Sequence, residues 1–237
     1  MAESSAVGDV DRLAWRMVVQ TSSWLVILAA LLFLAAGTWR WPQAWFFLAE
    51  VAFASFALGY WLARHDPALL ASRLSMPTHL GPQLWDRVFV VCAGLTYLVW
   101  MVLLALDAAR YRWSAVSPSV EAVGALLVAL CMALVWRIFR VNTFAAPQLR
   151  IQPERCHHVI AEGPYARVRH PMYAAALLYF AGTSLLLGSY WGLLILPFAT
   201  FGFALRAVGE ERMLARDLPG YTSYAKRVRY RFCPGLW

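Results

Sequence analysis

Residues 163–173 of the chain read GPYARVRHPMY and lead directly into a long apolar run. Two arginines, one histidine and two tyrosines are gathered in this stretch, which we call the polar entry segment. Polar groups massed at a membrane boundary are costly to bury, and they suit the binding of a charged ligand. The segment therefore predicts a helix that enters a bilayer beside a polar site.

The composition is that of a polytopic membrane protein. Of the 237 residues, 61% are hydrophobic and 14% are charged, whereas soluble domains carry roughly 25% charged residues. The polar N-terminus and the lack of a small-residue cleavage site after the first apolar run argue against a cleavable signal peptide. The 21 basic residues lie mostly between apolar runs, so the net charge of +8 reflects membrane topology and excludes a nucleic-acid partner.

Apolar segments of near-spanning length organise the chain. Six can be drawn, at about Ser22–Gly37, Trp41–Ala63, Val88–Ala108, Val120–Phe139, Met172–Leu187 and Tyr190–Ala207. Only Gly188-Ser189 separates the last two, which predicts a helical hairpin. As a helix the fifth segment covers about 24 Å, less than the roughly 30 Å of a hydrocarbon core. We expect an all-α integral membrane protein with about six transmembrane helices, and five remain possible.

The distribution of arginine predicts the orientation. In a six-span topology 18 of the 21 basic residues fall on one side, and the other side receives Arg40, Arg110 and Arg112. Both termini are therefore expected to be cytoplasmic. The short, arginine-rich chain indicates a bacterial inner-membrane protein.

Several kinds of site have no sequence support. The cysteines at 92, 131, 156 and 233 form no CxxC pair and have no zinc-site spacing, so no metal is expected. Walker, GxGxxG, HExxH and GxSxG motifs are also absent from the sequence. A soluble nucleotide-binding sheet domain is therefore excluded.

The polar entry segment and the residues before it form the first candidate site. Gly163-Pro164 predicts a turn, and Pro171 suits the first turn of a helix. Amide donors at that helix start would suit an anionic group. Arg169 and His170 would add charge-assisted hydrogen bonds.

The second candidate site follows the last apolar segment. Helical spacing places Arg206 and Glu210 on one face, four residues apart, and Glu211 follows directly. Glu50 lies alone in the middle of the second apolar segment. We expect it to face the bundle interior, and a structural pairing with Arg137 or a tryptophan is as plausible for it as a functional role.

The order of residues 157–173, followed by Glu210-Glu211, Leu214, Gly220-Tyr221 and Tyr224, resembles the isoprenylcysteine carboxyl methyltransferase family. Its wider group includes membrane phospholipid N-methyltransferases and thiol methyltransferases. The resemblance covers about Gln148 to Pro234, and its most specific elements are the Arg-His-Pro-x-Tyr order of residues 169–173 and the glutamate pair. The first four spans match only in hydrophobic character.

The resemblance implies an S-adenosylmethionine-dependent methyltransferase whose cytoplasmic C-terminal segments enclose the cofactor. A lipophilic acceptor would approach from the bilayer. The residues that it implies around the cofactor are His157, His158, Val159, Ile160, Tyr165, Arg169, His170, Pro171, Met172 and Tyr173. Glu210 or Glu211 would bind the amino or ribose end of the cofactor, and Arg206 is similar to an arginine that orients a substrate carboxylate.

Arg206 and His170 are the predicted catalytic residues. Methyl transfer from a sulfonium requires alignment and exclusion of water. A carboxylate acceptor is already ionised at neutral pH, whereas an amine or thiol would use a base, for which His170 or a glutamate is the candidate. Carboxyl methylation is favoured, and N- or S-methylation is the alternative. Two alternative hypotheses belong to other classes of function: an NADPH-dependent reductase of the sterol type and a non-catalytic membrane scaffold.

We expect two functional regions. Residues 1–140 would form an N-terminal four-helix region on the substrate side, and residues 141–237 the cofactor-binding region. The expected partners are membrane lipids and a lipid or membrane-partitioning small molecule. The sequence leaves the oligomeric state open.

Overall fold

A computed structural model describes residues 2–75, 84–145 and 151–237, with side chains from residue 11 onward. Throughout these ranges the chain is helical or irregular, and no strand is present. The protein is therefore an all-α membrane protein, as predicted. Gln148 and Arg150, which belong to the resemblance and to the arginine count above, lie outside the described residues.

The described α-helices are α1 Ala2–Ala36, α2 Pro42–His65, α3 Pro67–Leu74, α4 Leu84–Ala105, α5 Pro118–Val141, α6 Pro171–Leu186, α7 Ile195–Asp217 and α8 Tyr221–Arg227. Four of them (α2, α3, α5 and α6) begin at a proline, whose fixed φ suits the first helical turn and whose missing N–H is not needed there. The prediction that Pro171 starts a helix is thus confirmed.

Short irregular helices adjoin the spanning ones. A π-helical turn, Leu106–Tyr111, continues α4, and a 3-10 turn, Trp191–Leu194, precedes α7. Counted with these extensions, five helices in the described ranges are long and apolar enough to cross a membrane: Asp11–Ala36, Pro42–His65, Leu84–Tyr111, Pro118–Val141 and Trp191–Asp217. The sixth apolar helix, α6, has 16 residues.

A buried polar network gathers the helix ends around the Gly188-Ser189 turn, which we call the hairpin end. Asp107, fully buried after α4, accepts hydrogen bonds from the Ser114 hydroxyl (2.7 Å) and the Ser189 hydroxyl (2.5 Å). Gly188 adopts φ +85 there, a conformation that glycine reaches without strain. The starts of α2 and α5 lie at this end too, because Gln43 donates to Glu121 at 3.0 Å.

The opposite end, which we call the site end, collects the start of α4, the start of α6 and the end of α7. Asp86 and Arg206 form an ion pair there at 2.9 Å, and His170 lies 3.0 Å from Glu211. Because α6 joins the two ends, the chain passes between them six times along the bundle. The helical hairpin predicted for the last two segments is therefore present.

Close backbone packing holds α6 against α5. A Cβ added to Gly124 would lie 2.2 Å from the Leu186 nitrogen, and one added to Gly182 would lie 2.8 Å from the Gly124 oxygen. Small residues allow helix backbones to approach in this way inside membranes. The contact fixes the position of α6, and with it the position of the polar entry segment at its start.

The last helix is longer than its apolar segment predicted. The apolar segment ends at Ala207, the helical spacing of Arg206 and Glu210 predicts a helix beyond it, and α7 continues to Asp217. It continues because residues 208–217 include strong helix formers such as glutamate, leucine and arginine. Arg206, Glu210 and Glu211 consequently lie on one rigid helix.

Candidate active site

A cavity of about 460 Å³ lies at the site end, between α4, α6, α7, α8 and the loop after α5. Its volume falls within the roughly 300–1,000 Å³ of small-molecule sites. It is lined by every predicted site residue except Glu211, namely His157, His158, Val159, Ile160, Tyr165, Arg169, His170, Pro171, Met172, Tyr173, Arg206 and Glu210. The structure thus brings two segments that are distant in sequence to one cavity. The roles of these residues stay predictions.

His157 is held as a neutral imidazole on one side of the cavity. A 3-10 turn at Pro153–Arg155 reverses the chain, and the Gln152 N–H then donates to His157 Nδ1 at 3.3 Å. The ring stacks on Phe144 with centroids 4.2 Å apart. Burial, with the neighbouring His158 and Arg155 charges as smaller causes, lowers the pKa of His157. This flat surface suits a planar ring of a ligand.

Tyr165 joins three parts of the site. The Asn142 side-chain amide donates to its hydroxyl at 2.7 Å, and the Tyr224 hydroxyl donates to its carbonyl at 2.8 Å. Burial raises the pKa of Tyr165, and it raises the pKa of Tyr224 to about 12. Both phenols are therefore neutral hydrogen-bonding groups at physiological pH.

The C-terminal tail, residues 229–237, pairs with the polar entry segment. The N–H groups of Arg169 and His170 donate to the carbonyls of Tyr230 and Arg231, at 2.9 and 2.8 Å. The expectation that amides at this helix start are exposed for an anion is therefore wrong for these two groups. Their role is to fix the tail, whose Phe232 ring packs edge-on against His170 and Tyr173.

The adjacent glutamates face different neighbours, because consecutive helical residues point about 100° apart. Glu210 lines the cavity and accepts a hydrogen bond from the Tyr173 hydroxyl at 2.7 Å. Glu211 accepts from Arg231 at 3.0 Å and lies 3.3 Å from Arg169 Nε. It also lies 3.0 Å from His170 Nε2. Glu211 therefore holds the polar entry segment and the C-terminal tail together beside the cavity.

Arg206 is held from the opposite side of the cavity by α4. Its guanidinium forms the ion pair with Asp86 and lies over the Phe89 ring, 5.0 Å from the centroid. The sequence suggested a pairing with Glu210 one turn along α7, but the ion pair in the structure joins two helices. Asp86 is 1% exposed, so the pair is well shielded from water.

Sequence reasoning missed the site residues that have no local motif. Asp86 and Phe89 come from α4, Asn142 and Phe144 follow α5, and Arg73 ends α3. Among them only Asp86 gave a possible signal in the sequence, because it lies at the start of an apolar run and a buried carboxylate there needs a partner. Glu50 is not among the cavity residues, and its buried Oε2 has no hydrogen-bond partner within the described ranges.

A comparison with known families gives one match. Residues 120–219 match the family model described as phospholipid methyltransferase. This part of the chain is a phospholipid methyltransferase family region. The family includes membrane methyltransferases of the isoprenylcysteine carboxyl methyltransferase type, so the resemblance in the sequence is confirmed. A comparison with curated proteins finds no match.

The phospholipid methyltransferase region begins inside α5 and ends after Leu218, so it contains the polar entry segment, Arg206 and both glutamates. It also contains α5 and α6, the two helices joined by the glycine contact. The boundary proposed at residue 141 divides this region, and it stays a prediction. The family match thus supports a methyltransferase, and the apolar helices support an integral membrane protein.

Proposed function

We propose that the protein is an integral-membrane methyltransferase that uses S-adenosylmethionine and acts on a lipophilic acceptor, with carboxyl methylation favoured. The observation that carries the proposal is the single cavity that unites residues 157–160, the polar entry segment, Arg206 and Glu210. It lies largely within the methyltransferase family region. A cavity with both charged and apolar walls at a helix boundary matches a reaction between a charged cofactor and a membrane-dissolved molecule.

The donor set of the cavity fits the cofactor. The Phe144–His157 stack offers a flat surface for an adenine ring, and the Glu210 carboxylate complements a cationic amino group. Arg169, which lines the same cavity, complements a carboxylate. The cofactor supplies an electrophilic methyl group when it is bound.

The chain's own residues would align the reactants and exclude water. The Tyr173 ring stacks on Phe203 at 5.1 Å and on His170 at 5.3 Å, so its hydroxyl has a fixed direction toward Glu210. Phe232 of the tail covers this stack. A nucleophile on the protein is not required, because alignment and desolvation supply the main part of the catalysis.

An apolar groove supports an acceptor that arrives through the bilayer. The groove has a volume of about 590 Å³ and is lined by Trp24, Val90, Val91, Gly94, Leu95, Tyr97, Leu98 and Tyr179. Val90 and Gly94 line the cavity as well, so the groove and the cavity adjoin. A hydrocarbon chain in the groove would place its polar end near Arg206 and Glu210.

A phospholipid amine is the second candidate acceptor, because the family description itself names phospholipids. Such an acceptor would need a base. Both His170 ring nitrogens face carboxylates, Nε2 at 3.0 Å from Glu211 and Nδ1 at 3.7 Å from Glu210. This arrangement favours a positioning role for His170, and it leaves Glu210 as the better base candidate. Loss of His170 would then reduce turnover through lost positioning, and loss of Glu210 would reduce it through lost proton acceptance.

The test uses purified protein and S-adenosylmethionine carrying a labelled methyl group. Three acceptors are offered separately: N-acetyl-S-farnesyl-L-cysteine, dioleoylphosphatidylethanolamine and dodecanethiol. We expect base-labile methyl ester formation on the farnesylcysteine. Labelled amine or thioether product alone would replace the carboxyl assignment. Binding of neither S-adenosylmethionine nor S-adenosylhomocysteine would favour the scaffold, and oxidation of NADPH with a sterol would favour the reductase.

A further inference from the structure

The ion pair between Asp86 and Arg206 joins the two walls of the cavity. Asp86 lies in the first turn of α4, outside the family-matched residues 120–219. Its side chain is 2% exposed and that of Arg206 is 13% exposed, with 2.9 Å between Oδ1 and Nη2. A pair so well buried has strong mutual attraction but a large desolvation cost. A functional reason for keeping it is therefore worth testing.

The direction of the Arg206 guanidinium is set by α4. One of its nitrogens meets Asp86, and its plane lies 5.0 Å from the centroid of the Phe89 ring on the same helix. Arginine has a long side chain with many rotamers, and a planar fork held at two points loses most of that freedom. The guanidinium is thus pre-positioned at the wall of the cavity where the apolar groove adjoins it.

We propose that Asp86 is a positioning residue that orients Arg206 toward a carboxylate acceptor and compensates the charge of its guanidinium. The proposal rests on the proposed function. In methyl transfer a carboxylate oxygen forms the O–CH₃ bond while the S–CH₃ bond breaks, and the electron pair of that bond stays on sulfur. A sulfonium and a carboxylate thereby become a neutral thioether and a neutral ester.

The charge count explains why an aspartate beside the arginine is useful. With Asp86 present, sulfonium, carboxylate, guanidinium and aspartate sum to zero before transfer, and the guanidinium and aspartate sum to zero after it. Without Asp86 the remaining three groups would sum to one positive charge before transfer, and the guanidinium alone would leave one after it. Uncompensated charge is costly in a water-excluded site, so loss of Asp86 would weaken the orientation of Arg206.

The experiment compares Asp86→Asn, Asp86→Glu, Arg206→Gln and the double variant Asp86→Asn/Arg206→Gln, with N-acetyl-S-farnesyl-L-cysteine as acceptor. We expect Asp86→Asn to lower kcat/KM for the acceptor at least tenfold while the Kd for S-adenosylmethionine changes less than twofold. Asp86→Glu should restore most of the loss. Asp86→Asn should have less than a twofold effect in the Arg206→Gln background, because a residue that acts through another has no separate effect.

Asp107→Asn is the matched control, since Asp107 is also buried but belongs to the hairpin end. It should leave the kinetics of the folded fraction unchanged. Equal activity of Asp86→Asn and wild type, or additive losses in the double variant, would overturn the inference. Methylation of only the amine or thiol probe by the wild type would overturn it too, while leaving the methyltransferase function in place. A wild type that methylates none of the probes would count against both.

Discussion

Glu210 and Glu211 illustrate how one helical step separates two functions at the scale of the residue. Glu210 reaches the cavity and the Tyr173 hydroxyl, whereas Glu211 is enclosed by Arg169, His170 and Arg231. The sequence offered both as cofactor ligands. The structure favours Glu210 for the ligand and Glu211 for the cohesion of the site.

We expect Glu210→Gln to weaken S-adenosylmethionine binding by roughly 10–100-fold, because a charge-assisted hydrogen bond contributes about 1.5–3 kcal/mol. Its thermal midpoint should stay near that of the wild type. Glu211→Gln is the matched variant, and breaking a buried ionic cluster costs about 3 kcal/mol. That loss lowers the midpoint by roughly 6–12 °C at 2–4 °C per kcal/mol. Calorimetric binding and thermal unfolding in detergent separate the two outcomes, and a reversed pattern would contradict the assignment.

His157 predicts a pH dependence. Burial lowers its pKa below the ordinary value of 6.5, so the folded state binds fewer protons than the unfolded chain below that pH. Stability is therefore fully present above pH 6.5 and is lost as the pH falls through the lowered pKa. His157→Asn keeps an acceptor for the Gln152 N–H but does not titrate. We expect it to reduce the acid sensitivity of the thermal midpoint, whereas His158→Asn at an exposed neighbouring position should not.

At the scale of the element, α5 and α6 depend on glycine where they cross. Gly124→Ala should destabilise the protein by about 1–3 kcal/mol through overpacking, because the new Cβ meets backbone atoms. Helix propensity alone would predict a gain of about 1 kcal/mol. Gly94→Ala is the control, since a Cβ there meets nothing within 4 Å. A higher midpoint for both variants in thermal unfolding would show that the close contact is not stabilising.

The passage between groove and cavity depends on α4. Gly94→Phe should fill the opening that Gly94 shares between them. We expect KM for a farnesylated or acylated acceptor to rise about tenfold, the size of effect that about 1.4 kcal/mol of lost binding produces. The Kd for S-adenosylmethionine should stay unchanged. Val99→Phe, at a position 70% exposed on the same helix, should leave both constants unchanged, and equal effects of the two variants would argue against this passage.

The starts of α2 and α6 were predictable from the sequence, whereas the start of α1 and the end of α7 were not. Two apolar segments begin at Trp41 and Met172, and the corresponding helices begin at Pro42 and Pro171. The proline and the change in hydropathy coincide there. The end of α7 at Asp217 was not predicted, because hydropathy reports what lipid tolerates, whereas the helix itself continues through polar residues of high helix propensity.

For the site, contiguous residues were predictable and tertiary partners were not. One stretch of chain contains both His157–Ile160 and the polar entry segment, so a single family pattern includes both. Phe144 reaches the cavity, and Asp86 reaches Arg206 at its wall, only through helix packing, and an isolated aspartate or phenylalanine has no spacing to interpret. The division of labour between Glu210 and Glu211 depends on the rotation of α7, which the sequence pattern did not determine.

At the scale of the whole molecule, the six passes between the two ends support the proposal that both termini are cytoplasmic. Cys156 and Cys233 are exposed at the site end, and Ser119 is exposed near the hairpin end. A membrane-impermeant maleimide should label neither Cys156 nor Cys233 in intact cells, and it should label both of them after lysis. Ser119→Cys should be labelled in intact cells. Labelling of the native cysteines before lysis would reverse the orientation.

The pairing of the tail with Arg169 and His170 sets an order for biosynthesis. Arg169 bonds to a residue 60 positions further along the chain, so the spanning helices are translated before the last part of the polar site. A nascent or truncated chain that lacks the tail would be a membrane protein without activity. Under the proposed function, newly inserted copies would hold no cofactor, and methyl transfer would start only when the completed tail has joined the bundle. Reporter fusions are accordingly safer at the N-terminus, where they leave this late pairing undisturbed.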